Sequence, residues 1–264
     1  MHRLPFHLLV VAVSWMPVWA MAETPPRPAK PYAPVTITRP PPFEDTGLAT
    51  FRAMLALVAK SRVYAELAPI VVSQGFFWGR DFGRHYDPRR PAVDNLAAAI
   101  SLESGNGAGW NVLATFAADA SAEPLESRPG VLCAPASPGY DSIEFSRLLD
   151  ITDTNAADWA YQRDDATPVR AAPQQDAAEI GTLGAHLVRV LAFDSSNGDA
   201  AVSHKPWTRV VLPDGKIGYV APGRLISLAA ARLCYVKDLA GRWRIAGVIS
   251  GERGPGMTEP APAK

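Results

Sequence analysis

Apolar residues return every three or four positions from Leu48 through Phe51, Leu55 and Val58, the spacing of one buried helical face. Asp45 or Thr46 stands where such a helix needs a cap. A second short helix is predicted over Val63–Ala68, ending at Pro69, whose ring removes a donor and disfavours helix just before it. Helical spacing returns over Asp94–Leu102 and over Gly109–Ala118, where Trp110, Leu113 and Phe116 share a face. Between these two, Glu103–Gly107 carries two glycines and an asparagine and reads as a turn. A further helix fits Asp141–Asp150, with Ile143, Phe145, Leu148 and Leu149 apolar and Asp141 placed to cap. Residues 43–165 therefore read as a small, mostly helical domain.

From residue 167 the period shortens, and short alternating runs are separated by turns. Val169–Pro173, Ile180–Leu183, Leu187–Leu191, Trp207–Leu212 and Ile217–Val220 are predicted strands. Asp214-Gly215 between the last two supplies the positive backbone angles of a tight hairpin. A second hairpin follows, Leu233–Val236 and Arg242–Ile249, with Trp243, Ile245 and Ile249 on one face and Arg242 and Arg244 on the other. Its apolar face needs a partner, and packing of residues 232–250 on the helical domain supplies one.

The run Val169-Arg170-x-x-Pro173, Ile180-Gly181-x-Leu183, Val188-x-Val190-Leu191, Trp207-x-Arg209-Val210 and Asp214-Gly215-Lys216-x-Gly218-Tyr219-Val220 resembles the bacterial SH3 domain over residues 167–228. The resemblance implies a small five-stranded barrel, and in relatives such a domain often binds cell-wall peptides or glycans or positions a wall hydrolase. Ala192–Pro206 departs from the pattern as a much longer loop than usual. The whole chain is also similar to exported bacterial proteins that set an SH3-type domain behind a Gly-Phe-Phe-Trp-x-x-Asp-Phe stretch, here Gly75–Phe82, a likeness that implies no particular activity. The expected fold class is α+β: the helical domain, the SH3-like barrel, then the extra C-terminal hairpin.

The chain ends set the compartment. His2 and Arg3, the apolar run Leu8–Val18 and Ala20-Met21-Ala22 before Glu23 read as a cleaved secretory signal, residues 1–22. No other segment approaches the roughly 20 apolar residues of a membrane span, so no transmembrane span is expected in the mature chain. Eight prolines lie between Thr24 and Pro42, and residues 23–42 read as an extended linker; the Gly- and Pro-rich residues 251–264 read as a disordered tail. The 26 basic residues balance 26 acidic ones, and no basic stripe with interleaved aromatics is present, which excludes a nucleic-acid partner. Export, periplasmic or secreted, is the expectation.

In an oxidising compartment two cysteines are too few for a disulfide scaffold but enough for one bond. Packing the last hairpin on the helical domain brings Cys234 towards Cys133, and a bond closing 101 residues stabilises by up to about 4.7 kcal/mol in the chain-entropy model. Two rivals stand beside it: a pair of buried thiols, or Cys133 as a nucleophile served by His85, His186 or His204. Asp81, His85 and Asp87 lie close together but match no metal-ligand spacing, so no metal and no cofactor are expected. Candidate ligand-binding residues are the aromatics Trp207 and Tyr219, at the aromatic strand positions of the SH3 pattern, and Phe77 and Trp78, which also suit a core. The function that follows is an exported, non-catalytic binding or adaptor protein of the bacterial envelope, contacting cell-wall peptide, glycan or an envelope protein. The alternative is an envelope hydrolase whose helical domain uses two of Glu66, Asp81, Asp87 and Glu103 as acid and base.

Overall fold

In the computed structural model, residues 29–79, 86–102, 107–191 and 207–249 are described. The signal segment, the 192–206 loop and the 251–264 tail lie outside the described residues. In chain order the strands and α-helices are β1 (Ile37–Thr38), α1 (Thr46–Ser61), β2 (Phe77–Trp78), α2 (Ala92–Ala99), α3 (Ala108–Ala118), β3 (Glu123–Pro124), β4 (Leu132–Ala134), β5 (Gly139–Tyr140) and α4 (Ser142–Thr152). They continue with β6 (Trp159–Gln162), β7 (Thr167–Arg170), β8 (Glu179–Leu183), β9 (Val188–Val190), β10 (Thr208–Val211), β11 (Ile217–Val220), β12 (Leu225–Ser227), β13 (Arg232–Lys237) and β14 (Trp243–Ile249).

The first core is built on a five-stranded sheet in the order β2-β14-β13-β4-β3, parallel only between β2 and β14. Strands from the first half of the chain therefore flank the last hairpin on both sides. Leu233 and Tyr235 of β13 and Ile245 and Val248 of β14 are fully buried against Leu48, Phe51 and Leu55 of α1 and Leu113 and Phe116 of α3. Each such side chain contributes about 1.5–3 kcal/mol of burial free energy. The opposite face holds Phe77, Val131, Cys133, Cys234 and Ala246. Val63–Ile70 does not continue as α-helix; it makes two single 3₁₀ turns, Tyr64–Glu66 and Ala68–Ile70, the second opened by Pro69.

The second unit is a seven-stranded sheet in the order β12-β6-β9-β10-β11-β7-β8. On one face Ala160, Val169, Leu183, Val188, Val210 and Val220, from six strands, form a single cluster. The other face is covered by Phe145 and Leu148 of α4 and by the segment from residue 29 to β1. Along that segment the Tyr32 N–H donates to Pro213 O at 3.0 Å, the Ile37 N–H to Ala185 O at 3.0 Å, and Val35 O accepts from the Leu187 N–H at 2.9 Å. The buried Tyr32 hydroxyl donates to Val211 O at 2.9 Å, its ring meets Trp159 edge-on at 5.1 Å, and burial pushes its pKa up to about 12. Gly215 at the tip of the β10–β11 hairpin has φ of 85°, and a Cβ there would stand 2.3 Å from Ala29 O.

These observations overturn the α+β expectation. The described residues are mostly β, fourteen strands in three sheets, the third being the pair β1-β5. No separate helical domain precedes the strands, because α1, α2 and α3 pack on a sheet whose two middle strands come from the end of the chain. Nor do the described residues form a closed barrel: β6, which lies before the SH3-like stretch, inserts between β12 and β9, and the edges β12 and β8 are not paired with each other.

One side chain ties the start of α1 to the last hairpin. Asp45 Oδ1 accepts from the Leu48 N–H at 2.7 Å and from Trp243 Nε1 at 3.1 Å, while Oδ2 accepts from Lys237 Nζ at 3.1 Å. The Leu48 N–H first, and Lys237 next, hold the carboxyl below its ordinary range. A depressed pKa in the fold means that the contribution is complete above the ordinary value and is lost as pH falls through the folded one. Asp45→Ala is expected to cost about 1–2 kcal/mol at neutral pH in chemical denaturation, Asp45→Asn to recover most of the cap, and the difference between wild type and Asp45→Ala to shrink in acid.

Candidate functional site

Where the two larger sheets meet, charged and hydroxyl side chains form a continuous polar seam. Arg52 lies in the stripe Leu48-Arg52-Leu55-Ala59 of α1 and is buried with it. Its Nη1 donates to the Asp119 carbonyl at 2.9 Å. Asp119, just past α3, accepts on Oδ1 from the Ser121 N–H at 3.0 Å and hydroxyl at 2.6 Å, and on Oδ2 from Arg163 Nη1 at 2.9 Å, one residue beyond β6. The Ser121 hydroxyl oxygen accepts the Ala136 N–H at 3.0 Å. Glu123 of β3 accepts from the Ser137 N–H at 3.1 Å and hydroxyl at 3.0 Å and lies 2.5 Å from Arg232 Nη2 of β13. Burying charge is tolerable only with such partners, so the seam fixes how the sheets meet.

Two tyrosines face this seam. The Tyr161 hydroxyl donates to Ala136 O at 3.4 Å, and its pKa is raised, first by burial and then by the Asp119 charge. Tyr235 is fully buried, its pKa is raised chiefly by burial, and its hydroxyl has no hydrogen-bond partner among the described residues. Above Tyr161 a half-open cleft of about 20 Å³ is lined by the loop Pro135–Pro138, by Ile226 and Ser227 of β12, and by Leu228, Ala230 and Arg232. The Arg232 side chain is 12% exposed, and its Nε and Nη2 have no acceptor in hydrogen-bond geometry among the described residues.

The four aromatic candidates do not converge. Phe77 and Trp78 are neighbours on one strand and point to opposite faces of the five-stranded sheet. Phe77 packs in the cluster that holds Cys133 and Cys234, with the Arg128 guanidinium 4.2 Å above its ring. A Cβ on Gly247 would come within 2.6 Å of that ring, which is why β14 has a glycine there. Trp78 is half-buried against the helix-covered core, 5.9 Å from Tyr86. Tyr219 belongs to the other sheet, and Trp207 lies just before one of its strands. Tyr219 stands in register with Arg209 of β10 on one side and Arg170 of β7 on the other, and Trp207 immediately precedes β10. Phe77 is buried, and the other three are half-buried.

The groups considered for catalysis are dispersed. Glu66 accepts from the Ser61 hydroxyl at 2.5 Å, and Asp87 accepts the Arg89 N–H at 2.9 Å, each within its own turn. His186 is half-buried beside the 29–38 segment, and burial lowers its pKa. Asp81, His85, Glu103 and His204 lie outside the described residues. Among the described residues no three His, Cys, Asp or Glu side chains gather as metal ligands. Cys133 and Cys234, opposite each other on β4 and β13 and fully buried, form a disulfide, so the oxidised chain has no thiolate at Cys133. Sequence reasoning missed the seam, although Arg52 inside an apolar stripe was a visible sign of a paired buried charge.

Comparison of the chain with protein-family models, with curated proteins and with solved structures finds no match. Nothing in those comparisons identifies an SH3 domain, and the chemistry must be read from the residues themselves.

A maleimide probe is expected to leave the native, non-reduced chain unlabelled and to add two labels after unfolding in reductant. Replacing both cysteines by alanine is expected to lower stability by about 2–5 kcal/mol without changing the sheet order. A thiol labelled in the native chain would contradict the bonded pair.

Proposed function

We propose that the protein is an exported, non-catalytic binding or adaptor protein of the bacterial envelope. The Cys133–Cys234 disulfide is compatible with export, and no helix of the described residues is long and apolar enough to cross a membrane. One observation carries the binding role: Arg209, Tyr219 and Arg170 stand in register across three adjacent strands, with Trp207 immediately before the first residue of β10. An aromatic ring offers a flat apolar surface for a sugar ring or peptide plane, and flanking guanidiniums offer donors to hydroxyls and carboxylates. Cell-wall glycan or its acidic peptide has both features. The hydrolase alternative lacks comparable support, since Glu66 and Asp87 are held in separate local turns.

The test is co-sedimentation of residues 23–264, disulfide-bonded, with purified cell-wall sacculi, beside Trp207→Ala and Tyr219→Ala variants whose near-ultraviolet circular dichroism matches wild type. Wild type is expected to sediment, and each folded variant to bind about five- to thirtyfold more weakly. Failure of wild type to sediment, or retention of both variants at full strength, would contradict the proposal.

A further inference from the structure

Residues 29–38 lie across the seven-stranded sheet in the way a bound peptide lies in a groove. Tyr32 and Val35, three positions apart, and Ile37, two further on, are buried in it, while the residues between them are exposed. That is the anchor spacing of a polyproline-type segment running into a strand. The Tyr32 ring meets Trp159 edge-on and its hydroxyl donates to Val211 O, with Leu187 and Phe145 in the same apolar cluster. Backbone hydrogen bonds to Gly215, Pro213, Leu187 and Ala185 follow the segment from end to end. Extended peptides are recognised by this combination of main-chain bonds and alternate side-chain pockets.

The partners of this segment are remote in sequence. Lys30 Nζ donates to Ile151 O across 121 positions, and the Tyr32 hydroxyl reaches Val211 O across 179. Contacts so remote do not depend on which copy of the chain supplies the segment. The link onward to α1 runs through Arg39, ion-paired with the exposed Asp165, and then through Pro40-Pro41-Pro42. Three consecutive prolines offer no N–H to either sheet and keep the link extended. We propose that the groove is a peptide-docking surface, that its partner is a second copy of this chain, and that two copies associate by exchanging residues 29–38. An exchanged segment makes the same contacts in its new groove, so the dimer costs only the entropy of association. A short link gives the chain's own segment an effective concentration on the order of a millimolar, and that sets the concentration at which a second copy competes.

The inference uses none of Trp207, Tyr219, Arg170 and Arg209, so it stands or fails apart from the wall-binding role. Thr36 and His186 are opposite each other at the groove, between the Ile37 N–H bond to Ala185 O and the Leu187 N–H bond to Val35 O. Opposite residues of that kind are close enough to be joined by a disulfide. Thr36→Cys and His186→Cys are made in separate chains of residues 23–264 with the native disulfide intact, so that only exchange seats position 36 beside position 186. The two are mixed at about a millimolar, warmed gently and oxidised with glutathione. An interchain bond from position 36 to position 186 is expected, identified by the mass of the linked peptides. An excess of synthetic peptide of residues 29–38 is expected to lower its yield at least about fivefold, and the same peptide with Tyr32→Ala to leave it unchanged. The unsubstituted chain is expected to pass from monomer to dimer in sedimentation velocity as its concentration approaches the same range. Absence of the 36-to-186 bond, a yield indifferent to the peptide, or a monomer throughout would each overturn the exchange.

Discussion

The packing of α1, α2 and α3 depends on the β13–β14 hairpin. The β13–β14 hairpin occupies the middle of the five-stranded sheet, with β4 on one side and β2 on the other. The early strands β2, β3 and β4 are two or three residues long, and β2 is joined to the β3–β4 pair only through the hairpin. Leu233, Tyr235, Ile245 and Val248 give α1 and α3 the surface on which their apolar faces close. Pairing across about a hundred residues carries a loop-closure cost before any contact repays it. The buried Cys133–Cys234 bond sits at that same pairing and ties its two strands covalently.

The second sheet is joined to the first by the same economy of contacts. β6 leads directly into Arg163, which reaches Asp119 at the end of α3, while β12 runs into β13 through four residues. The 29–38 segment then covers the sheet's open face, donating and accepting backbone hydrogen bonds between its prolines. A binding role is read where this framework leaves aromatic and charged side chains half-buried, at the Arg-Tyr-Arg row beside Trp207. That row lies on strands, apart from the carboxylates that sequence alone offered as a hydrolytic pair.

What the sequence disclosed follows the length of each element. The helix over Leu48–Val58 and those near Gly109 and Asp141 were legible because each repeats its apolar spacing over two turns or more, and Asp141 does cap α4 through the Ile143 and Glu144 N–H groups. The β10–β11 hairpin was legible because Asp214-Gly215 has a local reason to turn. β2 to β5 were not, since two or three residues cannot show alternation. Their absence from the reading is what made a helical domain out of helices that lie on a sheet. The barrel failed for a related reason: Trp159–Gln162 falls before the apparent start of the strand-rich region, yet it pairs with both β9 and β12. Of the aromatic candidates, the sequence could not say that neighbouring Phe77 and Trp78 lie on opposite faces of one edge strand, nor that the charges worth watching were Arg52, Asp119 and Arg232.

The dependence of the first half on the last hairpin is open to a direct measurement. Hydrogen exchange of the disulfide-bonded chain is compared with that of a chain ending at Ala230. The amides of α1 and α3 are expected to be protected in the full chain and to exchange at rates close to those of an unfolded peptide in the truncated one. Full protection of α1 and α3 in the truncated chain would mean that residues 43–134 fold by themselves as a helical unit, and would contradict the account.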